Sequence, residues 1–147
     1  MANLRDPYAL ALLGSVVVTG AAFMPWFHVG AVGLPGVPDP AGSFVAAMGL
    51  TGVGLSAVGL RTKRDTRQGL VLAGLATITT LVVAWQVGPA TIASRAQARA
   101  EAVALVDNVN VEPVPPVGVS AGLFGGMAGA AVVAAAGVTG LRRRTGR

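Results

Sequence analysis

Two long apolar runs separated by a short basic loop constrain this chain more than any other feature. Residues 41–60 and 69–87 contain no charged side chain, and each run is about as long as the ~20 residues that a helix needs to cross a bilayer. Because loops rich in cations stay in the cytoplasm, the intervening loop predicts the direction of both helices. Its cations are Arg61, Lys63, Arg64 and Arg67.

The composition is typical of an integral membrane protein. Of the 147 residues, 53% are hydrophobic and 12% are charged, about half the charged fraction of an ordinary soluble domain. The apolar residues form uninterrupted blocks and do not alternate with polar residues. We therefore expect an all-α membrane protein, a single domain forming a bundle of four transmembrane helices. The predicted spans are about 8–27, 41–60, 69–87 and 117–141.

The net charge of +5 would favour nucleic-acid binding in a soluble protein. Here most of the cations lie beside predicted cytoplasmic helix ends, where membrane topology or contact with lipid headgroups accounts for them. We therefore expect no nucleic-acid partner. The chain has no cysteine, which excludes disulfides and thiolate metal sites. The cations on the predicted inner side are Arg5, Arg61, Lys63, Arg64, Arg67, Arg142, Arg143, Arg144 and Arg147.

Charge and aromatic residues predict the same topology. Arg142, Arg143 and Arg144 directly follow the last apolar run, which is a stop signal that places the C-terminus in the cytoplasm. The N-terminus is then also cytoplasmic, in a multi-pass protein of the plasma membrane, and loop 88–116 is external. Three aromatic residues fall at the predicted outer ends of spans and are interpreted as interface anchors: Trp26, Phe27 and Trp85.

Three segments leave alternatives open. The first apolar run resembles a signal peptide with small residues near its end, so either cleavage or retention fits. Residues 90–106 predict a short external helix, which either lies on the membrane or extends the third span past Pro89. The loop 33–40, rich in proline and glycine, excludes regular helix, and Ser43 is the predicted N-cap of the second span.

Small residues predict where helices pack closely in lipid. Gly52 and Ser56 in the second span form a small-xxx-small pair. The fourth span has two overlapping pairs, Gly122 with Gly126 and Gly125 with Gly129. These faces pack either inside the chain's own bundle or against a partner helix. For the glycine face of the fourth span, we expect burial against protein, either the first span through Ala11, Ser15 and Thr19 or an external subunit.

The chain offers little that points to catalysis. No Asp, Glu, Lys, Arg or His lies inside a predicted span, which argues against a self-sufficient proton-coupled transporter. His28 is the only histidine and is interpreted as a polar anchor at the interface, since a metal site would need further ligands. We find no nucleophile–base pair and no phosphate-binding motif. We therefore expect no catalytic residues, no cofactor and no metal.

The whole pattern resembles a known group of proteins. An apolar run ending in Pro25, Trp26 and Phe27, a Gly/Pro loop, a basic loop and a glycine-rich last span ending in arginines are similar to small four-helix membrane proteins of unknown function in actinobacteria. The resemblance covers nearly the whole chain and implies no catalytic residues. Some proteins of this kind are accessory subunits of respiratory or envelope complexes.

Two functions follow as hypotheses. The first is a non-enzymatic accessory or assembly subunit that packs against larger membrane proteins or against itself, in contact with membrane lipids. The second is an oligomeric transport or channel component with a hydroxyl-lined path. The candidate path residues are Ser15, Thr19, Thr51, Thr77 and Thr80.

Overall fold

A computed structural model describes residues 6–62, 64–108, 110–111 and 113–145, with the backbone alone for 140–145. Within this part of the chain, four helices and one small sheet follow one another. The predicted helical architecture is confirmed, but the sheet is an addition to the predicted all-α fold. The elements are α1 (Pro7–Phe23), β1 (Pro25–Val29), β2 (Val32–Pro35), α2 (Pro40–Thr62), α3 (Arg67–Asp107), β3 (Val117–Val119) and α4 (Ala121–Thr145).

Three of the described helices are long and apolar enough to cross a membrane: α2, α3 and α4 over Ala121–Thr139. Helix α1 is also apolar but has 17 residues, or about 25 Å at ~1.5 Å per residue. It begins with Pro7 in its first turn, where the missing N–H of proline costs no helical hydrogen bond. Asp6 caps it by accepting a hydrogen bond from the Tyr8 backbone N–H at 3.0 Å.

The helices bury small residues and expose large ones. The buried positions of α2 alternate in steps of three and four residues, the 3.5-residue period of left-handed helix packing. Large apolar residues such as Leu50 and Val58 lie on the outside of the same helix. An apolar exterior around a small-residue interior is the arrangement expected in lipid, where close backbone approach drives helix association. The buried residues of α2 are Gly42, Val45, Gly49, Gly52, Ser56 and Gly59.

Helix α3 is a single helix of 41 residues that continues through Pro89. The predicted external helix 90–106 is therefore the extension of the third span, the second of the two alternatives. The helix ends at Asp107 and is capped by Asn108, which adopts the left-handed conformation with φ of 52° and donates its N–H to the Ala104 carbonyl.

The sheet closes one end of the bundle. Strand β1 is central and pairs antiparallel with β2 on one side and with β3 on the other. We call this the sheet end. The opposite end, which holds the start of α1 and the loop from α2 to α3, is the basic-loop end.

Three helix boundaries differ from those predicted. The first span was predicted to reach residue 27, but α1 ends at Phe23, because proline at position 25 has no N–H with which to continue the helix. The fourth span was predicted from residue 117, but residues 117–119 pair with β1 and α4 starts at Ala121. Ser43 lies within α2, and Asp39 takes the predicted capping role by accepting the Ala41 N–H at 3.0 Å.

Candidate functional site

The glycine face of α4 packs against α1 of the same chain. A Cβ added to Gly129 would lie 2.9 Å from the Gly14 carbonyl oxygen, and one added to Gly14 would lie 2.8 Å from the Gly129 carbonyl oxygen. At Gly122 the added atom would lie 2.6 Å from the Pro25 carbonyl oxygen. The expected burial against protein is therefore present, and most of this face is already occupied by the chain's own helices and strand.

The four glycines are not equivalent. An added Cβ at Gly126 would meet Leu81 of α3 at 3.1 Å, whereas at Gly125 the only neighbour is the Ala21 Cβ at 4.0 Å. Gly125 is also partly exposed. The overlapping motif therefore contributes three close contacts, and Gly125 contributes little. Val133, further along the same helix, is buried in the core at the basic-loop end.

The small-residue face of α2 packs on the other side of α1. A Cβ on Gly52 would collide with the Ser15 hydroxyl, and one on Gly59 would lie 2.5 Å from the Tyr8 ring. Ser56 is fully buried on the same face, and its hydroxyl has no hydrogen-bond partner in the described part of the chain. Gly52 and Ser56 therefore both take part in internal packing, as the first of the two alternatives proposed.

Tyr8 fastens the basic loop to the start of α1. Its hydroxyl donates to the Arg64 carbonyl oxygen at 3.2 Å, and the Arg67 guanidinium lies 5.7 Å from the centre of its ring. Arg61 and the Arg64 side chain are exposed. Lys63 and the side chains of Arg142, Arg143 and Arg144 lie outside the described residues.

Trp26 and Phe27 are buried in protein, which corrects their interpretation as anchors among lipid headgroups. Trp26 is 2% exposed, and its indole Nε1–H donates to the Ala21 carbonyl oxygen at 2.8 Å. The Val37 N–H donates to the Ala22 carbonyl at 2.9 Å. Trp26 and Val37 therefore satisfy two of the last carbonyls of α1, which have no partner inside the helix. Trp85 is 47% exposed, and its role as an anchor stays a prediction.

A long groove at the sheet end is a second candidate site. It has a volume of about 750 Å³, within the ~300–1,000 Å³ of typical ligand sites. One wall is a stripe of α3, and the other is formed by β1, the end of β2, the segment after it and the start of α2. The α3 stripe repeats every four residues: Thr79, Thr80, Val83, Ala84, Val87, Gly88, Thr91, Ile92 and Arg95.

The facing wall of the groove is mainly apolar. Gly88 allows α3 to approach this wall, because a Cβ there would collide with the Phe27 ring. The only charged groups among the described lining residues are Asp39 and Arg95. The residues of the facing wall are Trp26, Phe27, Leu34, Pro35, Gly36, Pro38, Asp39 and Ala41. We name the whole cavity the sheet-end groove.

Sequence reasoning did not find this groove. In the sequence, Arg95 is one of the few cations of the predicted external loop, and Asp39 lies between two prolines, where a turn carboxylate is expected. The sequence does contain a four-residue repeat in α3, in which many residues are small or carry a hydroxyl. This repeat indicates a second packing face on a helix already assigned to the bundle. The wall opposite comes from residues 26–41, a separate part of the chain, and local patterns do not report that pairing.

The five hydroxyl residues of the transport hypothesis do not line one path in a single chain. Ser15 and Thr77 meet in a central cavity of about 10 Å³, enough for about one water molecule. Thr51 is exposed on the outside of α2, and its hydroxyl donates to the Ala47 carbonyl at 2.8 Å. Thr19 and Thr80 likewise donate to carbonyls four residues earlier in their own helices.

The described residues contain no group of three His, Cys, Asp or Glu side chains that could hold a metal ion. His28 lies on β1, where its Nδ1 is 3.1 Å from the Ser120 hydroxyl. No family model, curated protein or solved structure matched this chain.

Proposed function

We propose that this chain is a non-enzymatic multi-pass protein of the plasma membrane that serves as an accessory or assembly subunit of a larger membrane protein. The observation that carries the proposal is the far end of α3, which bears strongly exposed apolar residues. Leu105 is 84% exposed and Val106 is 83% exposed, close to the end of the helix at Asp107. Large apolar side chains grouped at the end of a protruding helix favour contact with another protein.

Contacts along α1 support four membrane crossings. Tyr8 packs at Gly59 and Thr19 packs at Gly49, so α1 runs beside α2 over most of its length. Met24, after the end of α1, packs at Gly122 near the start of α4. Since α1 covers the same depth as two longer apolar helices, we infer that it crosses the bilayer with them despite its 17 residues.

The placement of cations supports cytoplasmic termini. A Cβ added to Gly137 of α4 would lie 3.0 Å from the Arg67 carbonyl oxygen, so α4 ends on the side of the basic loop. The start of α1 lies there too, through the bond from Tyr8 to Arg64. The positive-inside rule then places this end in the cytoplasm and the sheet end outside.

The small-residue faces favour a different contact surface from the one that the sequence suggested. Gly129 and Gly52 pack on α1, so these faces are not available to a partner helix. A partner contact therefore falls on the exposed end of α3, beyond the sheet.

The experiment is affinity purification of the tagged full chain in mild detergent, followed by mass spectrometry. We expect larger membrane proteins in constant ratio with the parent. Replacing Leu105 and Val106 with serine should remove them, whereas serine at Ala98 and Ala102, two exposed positions of the same helix, should not. Recovery of a homo-oligomer alone, with solute flux in liposomes, would favour the transport hypothesis instead.

A further inference from the structure

We propose that the sheet-end groove binds a membrane phospholipid, with an acyl chain along the α3 stripe and the phosphate at Arg95. This inference goes beyond the accessory role and does not depend on any protein partner. It uses only the shape, polarity and charge of the groove.

The length of the groove suits a lipid chain. The α3 stripe from Thr79 to Arg95 spans 16 residues, or about 24 Å at ~1.5 Å per residue. One leaflet contributes about 15 Å of a hydrocarbon core of ~30 Å. The groove can therefore hold the upper part of an acyl chain and the adjoining headgroup.

Polarity changes along the groove in the direction that a lipid requires. Thr79 lies inside the long apolar part of α3, and the hydroxyl of the neighbouring Thr80 is already bonded to the Ala76 carbonyl at 2.9 Å. Val83, Ala84 and Val87 continue the stripe as an apolar surface. Arg95 is its last residue and its only cation. A chain with an apolar body and an anionic end matches this order.

Arg95 is well suited to hold the phosphate. It is exposed, and it makes no salt bridge to another described residue. A guanidinium can bind phosphate through two parallel hydrogen bonds. Asp39, the only anion of the lining, accepts the Ala41 N–H at the start of α2 and lies on the facing wall, not on the α3 stripe.

The opposite wall supplies rigid apolar contacts. Trp26 is fixed by its bond to the Ala21 carbonyl, and Phe27 packs closely at Gly88. Pro35 and Pro38 complete this wall with side chains that lose little entropy on binding. The wall is therefore organised before a lipid arrives, which favours binding.

The first test is native mass spectrometry of the purified full chain after delipidation and addition of phosphatidylglycerol. We expect one phospholipid per chain, and a loss of affinity of about tenfold in Arg95→Ala, the scale of a lost charge-assisted contact. Arg99→Ala is the matched control, since Arg99 is exposed on the same helix but does not line the groove. Equal effects of the two substitutions would overturn the proposal.

The headgroup and the chain are tested separately. Diacylglycerol with the same acyl chains should compete at least tenfold less well, because it lacks the phosphate; equal competition would refute the role of Arg95. In a Trp85→Phe variant, a phospholipid brominated on its acyl chain should quench Trp26. Ala84→Phe should abolish that quenching, whereas Ala90→Phe, at an exposed position outside the groove, should not. Unquenched Trp26 in the parent would place the chain elsewhere.

Discussion

Glycine and a larger side chain face each other at successive levels of the α1–α2 contact. Gly59 faces Tyr8, Gly52 faces Ser15 and Gly49 faces Thr19. Each glycine leaves a space that the opposite side chain enters, so the two helix axes approach closely. In lipid, where burial of apolar surface gives no net advantage, these dispersion contacts hold the helices together.

This pairing predicts different outcomes for two glycines of α2. Gly52→Leu should destabilise the fold by about 1–3 kcal/mol, the usual cost of overpacking a tight contact, because the new side chain would collide with Ser15. Gly54→Leu is the control, since an added Cβ there meets nothing within 4 Å. Unfolding in detergent micelles by SDS titration measures both. Equal losses of stability in the two variants would show that α1 and α2 are not closely packed at Gly52.

The two tryptophans predict a second contrast. Trp26→Phe removes the Nε1–H donor of a buried hydrogen bond, so the free energy of unfolding should fall by about 1–3 kcal/mol. Trp85→Phe, at a half-exposed position, should change it by less than about 0.5 kcal/mol. The same SDS titration compares them. If Trp85→Phe were the more damaging change, the capping role assigned to Trp26 would be wrong.

At the scale of elements, the sequence predicted the helices well and the sheet not at all. Uncharged runs as long as 41–60 identify helices without any knowledge of their neighbours. Strand β3 has three residues and pairs with β1 about 90 residues earlier in the chain, as in Val119 with Phe27. Such short apolar strands carry no alternation of their own, and only the tertiary contact reveals them.

The sequence predicted which positions of the candidate site pack closely, but it did not decide what they pack against. The small-xxx-small pairs predicted close packing at Gly122 and Gly52, because glycine removes the side chain whatever the partner is. They could not decide between α1 and an external subunit as the partner of the α4 glycines, or show that Gly125 has room. The sheet-end groove depends on residues of four separate elements, so no single pattern describes it.

The continuity of α3 through Pro89 gives a prediction at this scale. The chain lacks cysteine, so spin labels can be placed at Val83→Cys and Leu105→Cys, both exposed positions. In one continuous helix these backbone positions are about 33 Å apart at ~1.5 Å per residue. If the helix instead turned by a right angle at Pro89, so that its second part lay on the membrane, the distance would be about 26 Å at the same rise per residue. Pulsed electron paramagnetic resonance distinguishes the two distances.

At the scale of the whole molecule, the two ends of the bundle differ in charge and structure. The basic-loop end holds Arg61 in the last turn of α2, Arg64 in the short loop and Arg67 at the start of α3. The sheet end has longer connections, and α3 extends beyond it with charges of both signs, Arg95, Arg99, Glu101 and Asp107. Cations on short loops at one end orient a membrane protein more strongly than mixed charges on a long segment at the other.

This asymmetry leads to a prediction about topology. Single cysteines at Asn3, Asp65 and Asn110 should react differently with a membrane-impermeant thiol reagent in intact cells. Asn110→Cys, in the connection after α3, should react from outside. Asp65→Cys and Asn3→Cys should react only after the membrane is permeabilised, because the basic loop and the start of α1 are joined through Tyr8 and Arg64.

The comparison of Asn3→Cys with Asp65→Cys decides whether α1 crosses the membrane. Helix α1 is about 5 Å shorter than a ~30 Å hydrocarbon core. Its contacts with α2 from Gly59 to Gly49 nevertheless hold it at the same depth as α2. A local thinning of the bilayer, or the polar backbone of Pro25–Val29 at the outer boundary, can accommodate the difference. Reaction of Asn3→Cys and Asp65→Cys from opposite sides would contradict both the four-span topology and the contact between Tyr8 and the basic loop.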